Sequence, residues 1–124
     1  MFQRANAAAF GMKLTSAQAL AIWRGAMVES VRREAPDLSA RQMAVLTTVY
    51  MEQPPHTVRG LAETLNVSKP AITRALDRLS EFGMVRRKPD ENDRRSILVQ
   101  RTVKGSVYLT EFAELIIKSA QETD

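Results

Sequence analysis

The chain has 124 residues, 44% of them hydrophobic, and a formal charge of +4; this suits one globular domain with a modest core, and leaves apolar helices outside that core in need of a partner chain. It has no cysteine, which excludes structural disulfides, thiol redox switching and Cys-ligated zinc together. The N-terminal apolar run from Ala7 to Phe10 is too short for a signal segment or a membrane span, so the expectation is a soluble cytoplasmic protein.

The charge is unevenly placed. From Thr57 to Gly105 there are eleven Lys or Arg against six acids, whereas the rest of the chain holds seven basic and eight acidic residues. A basic stretch of about half the chain suits a surface facing a polyanion, nucleic acid first, although a solvated charged face would have the same composition.

In chain order, residues 1 to 14 have no clear period and read as a flexible N-terminal arm. Residues 15 to 124 read as a single domain. Thr15 or Ser16 caps a first helix with Ala19, Leu20, Ile22, Trp23, Ala26, Met27 and Val31 at helical spacing, ending near Ala35 before Pro36. Ser39 caps a second, with Met43, Leu46, Val49 and Tyr50 on one face, stopped by Pro54 and Pro55. Thr57 caps a third over Val58 to Leu65, and Asn66 suits a left-handed closing position.

Ser68 follows almost at once and caps a fourth helix, with Lys69 and Pro70 in its first turn, where proline is tolerated. Two helices joined this tightly form a helix-turn-helix. Ile72, Ala75, Leu76, Leu79 and Phe82 share the inner stripe, and Gly83 ends the helix. The outer face carries Ser68, Lys69, Thr73, Arg74, Asp77 and Arg78. Arg74 and Arg78 stand at the repulsive i,i+4 spacing, which a phosphate backbone would relieve and which Asp77 could relieve in part.

After Gly83 the pattern turns to strand. Met84 to Lys88 and Ser96 to Arg101 flank a turn from Asp90 to Asp93, a β-hairpin bracketed by arginines. Helix-turn-helix followed by a basic hairpin is the winged-helix arrangement, in which the second helix enters the major groove and the wing reaches the flank. Arg94 and Arg95 fall where a side chain can enter a narrow minor groove, with Asp93 placed to hold an arginine head. The fold class is therefore mainly α with a small β-hairpin, a winged helix-turn-helix with a DNA-binding lobe over 39 to 101 and flanking dimerisation helices over 15 to 35 and 102 to 121.

The stretch LNVSKPAITRALDRLSEFGMVRRKPDENDRRSILVQRTVKG, residues 65 to 105, resembles the core of the multiple-antibiotic-resistance-regulator (MarR) family of bacterial winged-helix transcription factors. The marks are TR-x-LDRL from Thr73 to Leu79, D-x-R at Asp93 and Arg95, and T-x-K-G from Thr102 to Gly105. The resemblance implies a homodimer on pseudo-palindromic double-stranded DNA, usually a repressor and often released by a small-molecule effector. It also implies that Thr73, Arg74 and Arg78 face the DNA, with Arg95 as the minor-groove arginine oriented by Asp93. The DNA-binding set is then Ser68, Lys69, Pro70, Thr73, Arg74, Arg78, Asp93, Arg94 and Arg95.

Two departures stand out. Family members usually show Leu before the Thr of T-x-K-G, and this chain has Arg101. They commonly close with two interleaving helices, whereas one follows Thr102 here, with Val107, Leu109, Phe112, Leu115, Ile116 and Ile117. Dimerisation is expected through this helix and the first; a tail docked on its own core is the alternative.

Trp23, Met27, Met43, Leu46 and Tyr50 could line an adaptable ligand pocket, and at helical spacing they also read as simple core. His56 is the only histidine and reads as structural or solvent-facing. No nucleophile, base and orienter recur together and no Gly-rich phosphate loop is present, so neither enzyme activity nor a cofactor or metal is expected. The other classes to weigh are a winged helix used for protein contacts and a ligand-binding enzyme subunit. The first would carry exposed aromatics where this chain carries Arg and Lys, and the second has no catalytic constellation.

Overall fold

All four expected helix caps form. In the computed structural model, which describes residues 13–124, Thr15 accepts the Gln18 N–H while the Gln18 side chain accepts the Thr15 N–H, a capping box that opens α1 (Ser16–Arg32). Most of the expected arm, residues 1 to 12, lies outside the described residues. Ser39 and Gln42 make the same box for α2 (Ala40–Met51). Thr57 accepts the Gly60 N–H to start α3 (Val58–Leu65), and Ser68 accepts the Ala71 N–H to start α4 (Lys69–Glu81). Each cap satisfies a backbone donor that the first turn leaves open, worth about 1 kcal/mol.

The first helix stops at Arg32 rather than near Ala35, because Arg33 turns extended at φ −74° and ψ 153°. That turn lays its guanidinium 4.8 Å from the centre of the Tyr108 ring, a contact that no local pattern announces.

The expected hairpin is part of a three-stranded antiparallel sheet. Its strands are β1 (His56–Thr57), β2 (Val85–Asp90) and β3 (Asp93–Arg101), in the order β1-β3-β2. The added strand is only two residues long, too short to show a period of two, and exists because His56 pairs with Val99 and Thr57 with Leu98. β2 is an edge strand, so Pro89 interrupts no central ladder. The last helix is α5 (Val103–Gln121).

The described residues divide into two units. The first, Leu38–Val107, buries Val45, Leu46 and Val49 of α2, Leu61 of α3, Ile72, Leu76 and Leu79 of α4, and Met84, Val85 and Val99 beside the sheet. Its polar centre is Tyr50. The phenol oxygen lies 2.7 Å from the Met84 carbonyl and 2.9 Å from the Thr102 carbonyl, with one proton to give, and it accepts the Thr102 N–H at 2.8 Å. Gly105 lies against this junction, and a Cβ there would stand within 3.0 Å of Tyr50 Oη, Tyr50 Cζ and the Met84 carbonyl oxygen. The Thr102 hydroxyl donates to the Gly83 carbonyl and accepts the Gly105 N–H. Thr102 and Gly105 of the T-x-K-G pattern thus fix the root of the wing to α2.

Arg101, immediately before Thr102, completes that attachment. Its Nε–H donates to the Val49 carbonyl at 2.8 Å and its Nη2 to the Glu52 carbonyl at 2.9 Å. These carbonyls belong to the open C-terminal end of α2, where a cation is also favoured by the helix dipole. His56 is buried, with Nε2 3.1 Å from the same Glu52 carbonyl, so its place is structural.

The second unit comprises residues 13–37 and Tyr108–Asp124. α1 and the end of α5 pack closely because Gly25 faces Ser119, whose hydroxyl donates to the Ile22 carbonyl at 2.8 Å. Tyr108 donates to the Pro36 carbonyl at 3.1 Å. Burial raises the pKa of the Tyr108 phenol, opposed by the nearby Arg33 cation. Leu20, Trp23 and Val31 on α1, with Ile116 and Ile117 on α5, remain exposed, Trp23 by 64% and Ile117 by 56%.

Candidate nucleic-acid interface

The helix-turn-helix is set by one backbone position. Asn66 adopts φ 54° and ψ 47°, a left-handed conformation that Asn tolerates better than most residues, and this closes α3 two residues before the Ser68 cap. α4 then seats Ala71, Ile72, Ala75, Leu76 and Leu79 in the core and turns Ser68, Lys69, Pro70, Thr73, Arg74, Asp77 and Arg78 outward, all exposed. The amphipathic reading of this helix therefore holds position by position, apart from half-buried Phe82.

The charges on that outer face are not equivalent. Among the described residues, Arg74 makes no ion pair or side-chain hydrogen bond. Arg78 donates to Glu81 at 3.0 Å and lies over the Phe82 ring, 4.5 Å from its centre. Asp77 turns away from Arg74 and meets Arg87 of β2 at 2.7 Å. Arg87 thus takes the carboxylate that could have eased the Arg74–Arg78 repulsion, and the acid that engages Arg78 is Glu81 of the same helix. Lys69 also has no ion-pair partner among the described residues.

The wing is a tight hairpin with Glu91 and Asn92 at its turn, longer in both strands than the sequence suggests. Pro89 pairs with Ile97 and Asp90 with Asp93, so one step along β2 spans four along β3. The surplus residues Arg94, Arg95 and Ser96 form a bulge, a device that re-aims side chains out of the regular pleat. Two carboxylates hold this shape: Asp90 Oδ1 accepts the Asn92 N–H at 2.9 Å, and Asp93 Oδ1 accepts the Arg95 N–H at 3.0 Å. Asp93 therefore holds the Arg95 backbone rather than an arginine head, because it lies two residues away on the same turn. Arg94 and Arg95 are exposed and unpaired among the described residues. Arg86 and Lys88, which no sequence motif assigns to the site, join them as exposed cations on β2.

Of the side chains considered for a ligand pocket, Leu46 and Tyr50 lie in the core of the first unit and Met43 is half-buried there. In the second unit Met27 is half-buried and Trp23 exposed. Two clefts in the first unit, each about 400 Å³, share Pro55 and His56 at the foot of the wing.

A short helix, a left-handed turn, an exposed basic helix and a basic hairpin beside it define a winged helix-turn-helix protein. Residues 38–97 match the MarR family, and the chain belongs to that family. It is 30% identical over 87 residues to the HTH-type transcriptional regulator PecS of Dickeya dadantii, an alignment covering 68% of this chain and 52% of PecS. The chain thus spans about half the length of that curated relative. Among solved structures it is similar to the transcriptional regulator BldR from Sulfolobus solfataricus, with 32% identity, 86% and 76% of the two chains covered and a TM-score of 0.61. It is also similar to a mutant MarR from E. coli complexed with operator DNA, with 26% identity, 86% and 70% coverage and a TM-score of 0.65. No helix among the described residues is long and apolar enough to cross a membrane.

Proposed function

We propose that this chain is a sequence-specific DNA-binding transcriptional regulator and not an enzyme. The observation that carries the reading is that, among the described residues, Lys69, Arg74, Arg94 and Arg95 stand exposed without ion-pair partners, while Asp77 is engaged by Arg87, and Asp90 and Asp93 by backbone N–H groups. Unpaired arginine and lysine on a helix and an adjacent hairpin suit phosphates and base edges. In this reading α4 enters the major groove. Ser68, Lys69 and Pro70 at its start approach the backbone, where the helix N-terminus favours an anion. Thr73 and Arg74 reach base edges, Arg78 follows one turn later, and the bulged Arg94 and Arg95 take the flanking minor groove.

The reading extends to a homodimer on a pseudo-palindromic operator. Exposed Leu20, Trp23, Val31, Ile116 and Ile117 give α1 and α5 the apolar surface that a second copy would cover. Repression, and release by a small-molecule effector, are carried by the family resemblance. The test is a pull-down of genomic fragments followed by fluorescence-anisotropy titration of the recovered site against salt. Each neutralised phosphate contributes roughly −0.9 to the slope of log affinity on log salt, so a dimer should give a slope steeper than about −3. A shallower slope points away from DNA as the main partner.

A further inference from the structure

We infer that the Asp77–Arg87 ion pair is a strut that sets the reach of the wing relative to the recognition helix, and so selects which flanking base step the wing arginines read. The inference rests on the DNA-binding reading above and adds two residues to its machinery. Asp77 lies in the middle of the outer face of α4, between Arg74 and Arg78, and Arg87 lies near the root of β2 in register with buried Val99. Their charged atoms are 2.7 Å apart although both side chains are partly exposed. The short stretch 82–84, the Met84 N–H donated to the Leu79 carbonyl and the buried Met84 and Val85 join α4 to β2 at the root; this pair adds a tie from the outer face of the recognition helix to the wing.

Leverage gives the tie its importance. From Val85 to the turn at Glu91 the strand extends about 20 Å, at ~3.3 Å per residue. A tilt of about 10° at the root therefore moves the tip by about 3.5 Å, close to the ~3.4 Å rise along the duplex axis per phosphate of one strand. An exposed pair contributes little to stability, yet an acid facing DNA between two arginines opposes binding unless it is neutralised. Arg87 neutralises it and fixes an angle in the same contact.

The experiment is selection from a random duplex library with the wild-type chain, Asp77→Ala, Arg87→Ala and the exchanged pair Asp77→Arg with Arg87→Asp. On charge alone, the two single variants should move total affinity in opposite directions, up for Asp77→Ala and down for Arg87→Ala. As a strut, both should lose discrimination at the flanking steps alike, by about fivefold, with the central half-site preference kept and the exchanged pair recovering most of the loss. Flank discrimination unchanged in both single variants overturns the strut. So does equal loss at flank and half-site, failure of the exchange, or a large fall in melting temperature, which would make the pair merely structural. A wild-type chain that enriches no sequence refutes the DNA-binding reading itself, a result separate from all of these.

Discussion

Gly105→Ala tests the junction at the root of the wing. In an ordinary helix the change would be favourable, since Ala exceeds Gly by about 1 kcal/mol in helix propensity. Gly105 lies in the first turn of α5, but its missing side chain faces Tyr50 and the Met84 carbonyl, with Tyr50 Cζ only 2.7 Å from an added Cβ. Real Cβ atoms do not approach so closely, and the Met84 carbonyl is backbone, so the phenol ring or the start of α5 must shift. Overpacking of this kind costs about 1–3 kcal/mol. If the phenol moves, its bonds to Met84 and Thr102 weaken at about 1 kcal/mol each, and a buried N–H or carbonyl left open adds about 1–3 kcal/mol. Against the propensity gain, the net loss should be about 3 kcal/mol. For a domain of this size that is a fall in Tm of roughly 10 °C, readable by circular dichroism. Tyr50→Phe separates the causes: in that background the alanine should cost less, because the ring has no hydroxyl to displace, but it should still cost something against Met84. A Gly105→Ala protein melting within about 2 °C of wild type would refute the packing argument.

Arg74→Ala should weaken binding to the recovered operator by about 1–3 kcal/mol and relax one position of each half-site, whereas Arg78→Ala should cost less because Glu81 and the Phe82 ring hold its guanidinium; anisotropy on single-base variants separates the two. Ile117→Asp, placed on the exposed apolar face of α5, should split the proposed dimer and leave a monomer with little affinity for the full site, which light scattering behind a sizing column would detect. For Tyr108, burial lifts the folded phenol above its ordinary value of about 10. The stability this gives is complete below pH ~10 and is lost as pH rises through the folded pKa. The tyrosinate absorbance missing from Tyr108→Phe should therefore titrate above pH 10, and alkaline unfolding should be less steep in that variant.

Much of this fold is written in local chemistry. Thr15, Ser39, Thr57 and Ser68 announce their helices because a short hydroxyl side chain satisfies a first-turn N–H wherever it occurs, and Asn66 announces the turn because few residues tolerate a φ of 54°. What depends on distant partners stays hidden. β1 exists only through Val99 and Leu98, α1 ends early where Arg33 meets Tyr108, and Arg101 is a helix cap only because α2 ends beside it. The candidate site divides in the same way. That α4 and the wing are basic is plain from spacing, but which cations are unpaired is not, because Arg87 meets Asp77 from another element while Arg78 takes a neighbour on its own helix.

The acids at the wing tip have a consequence for association. A flexible arginine loop would lose much of its freedom on entering a groove, at about 1–2 kcal/mol of entropy for each backbone residue frozen. Here Asp90 and Asp93 already fix the Asn92 and Arg95 amides in the free chain, so part of that ordering belongs to folding instead of binding. Such preorganisation favours affinity and narrows the range of groove shapes the arginines can follow. On the proposed reading the two carboxylates would oppose the phosphates in charge, yet they hold ready the backbone geometry from which Arg94 and Arg95 would reach them.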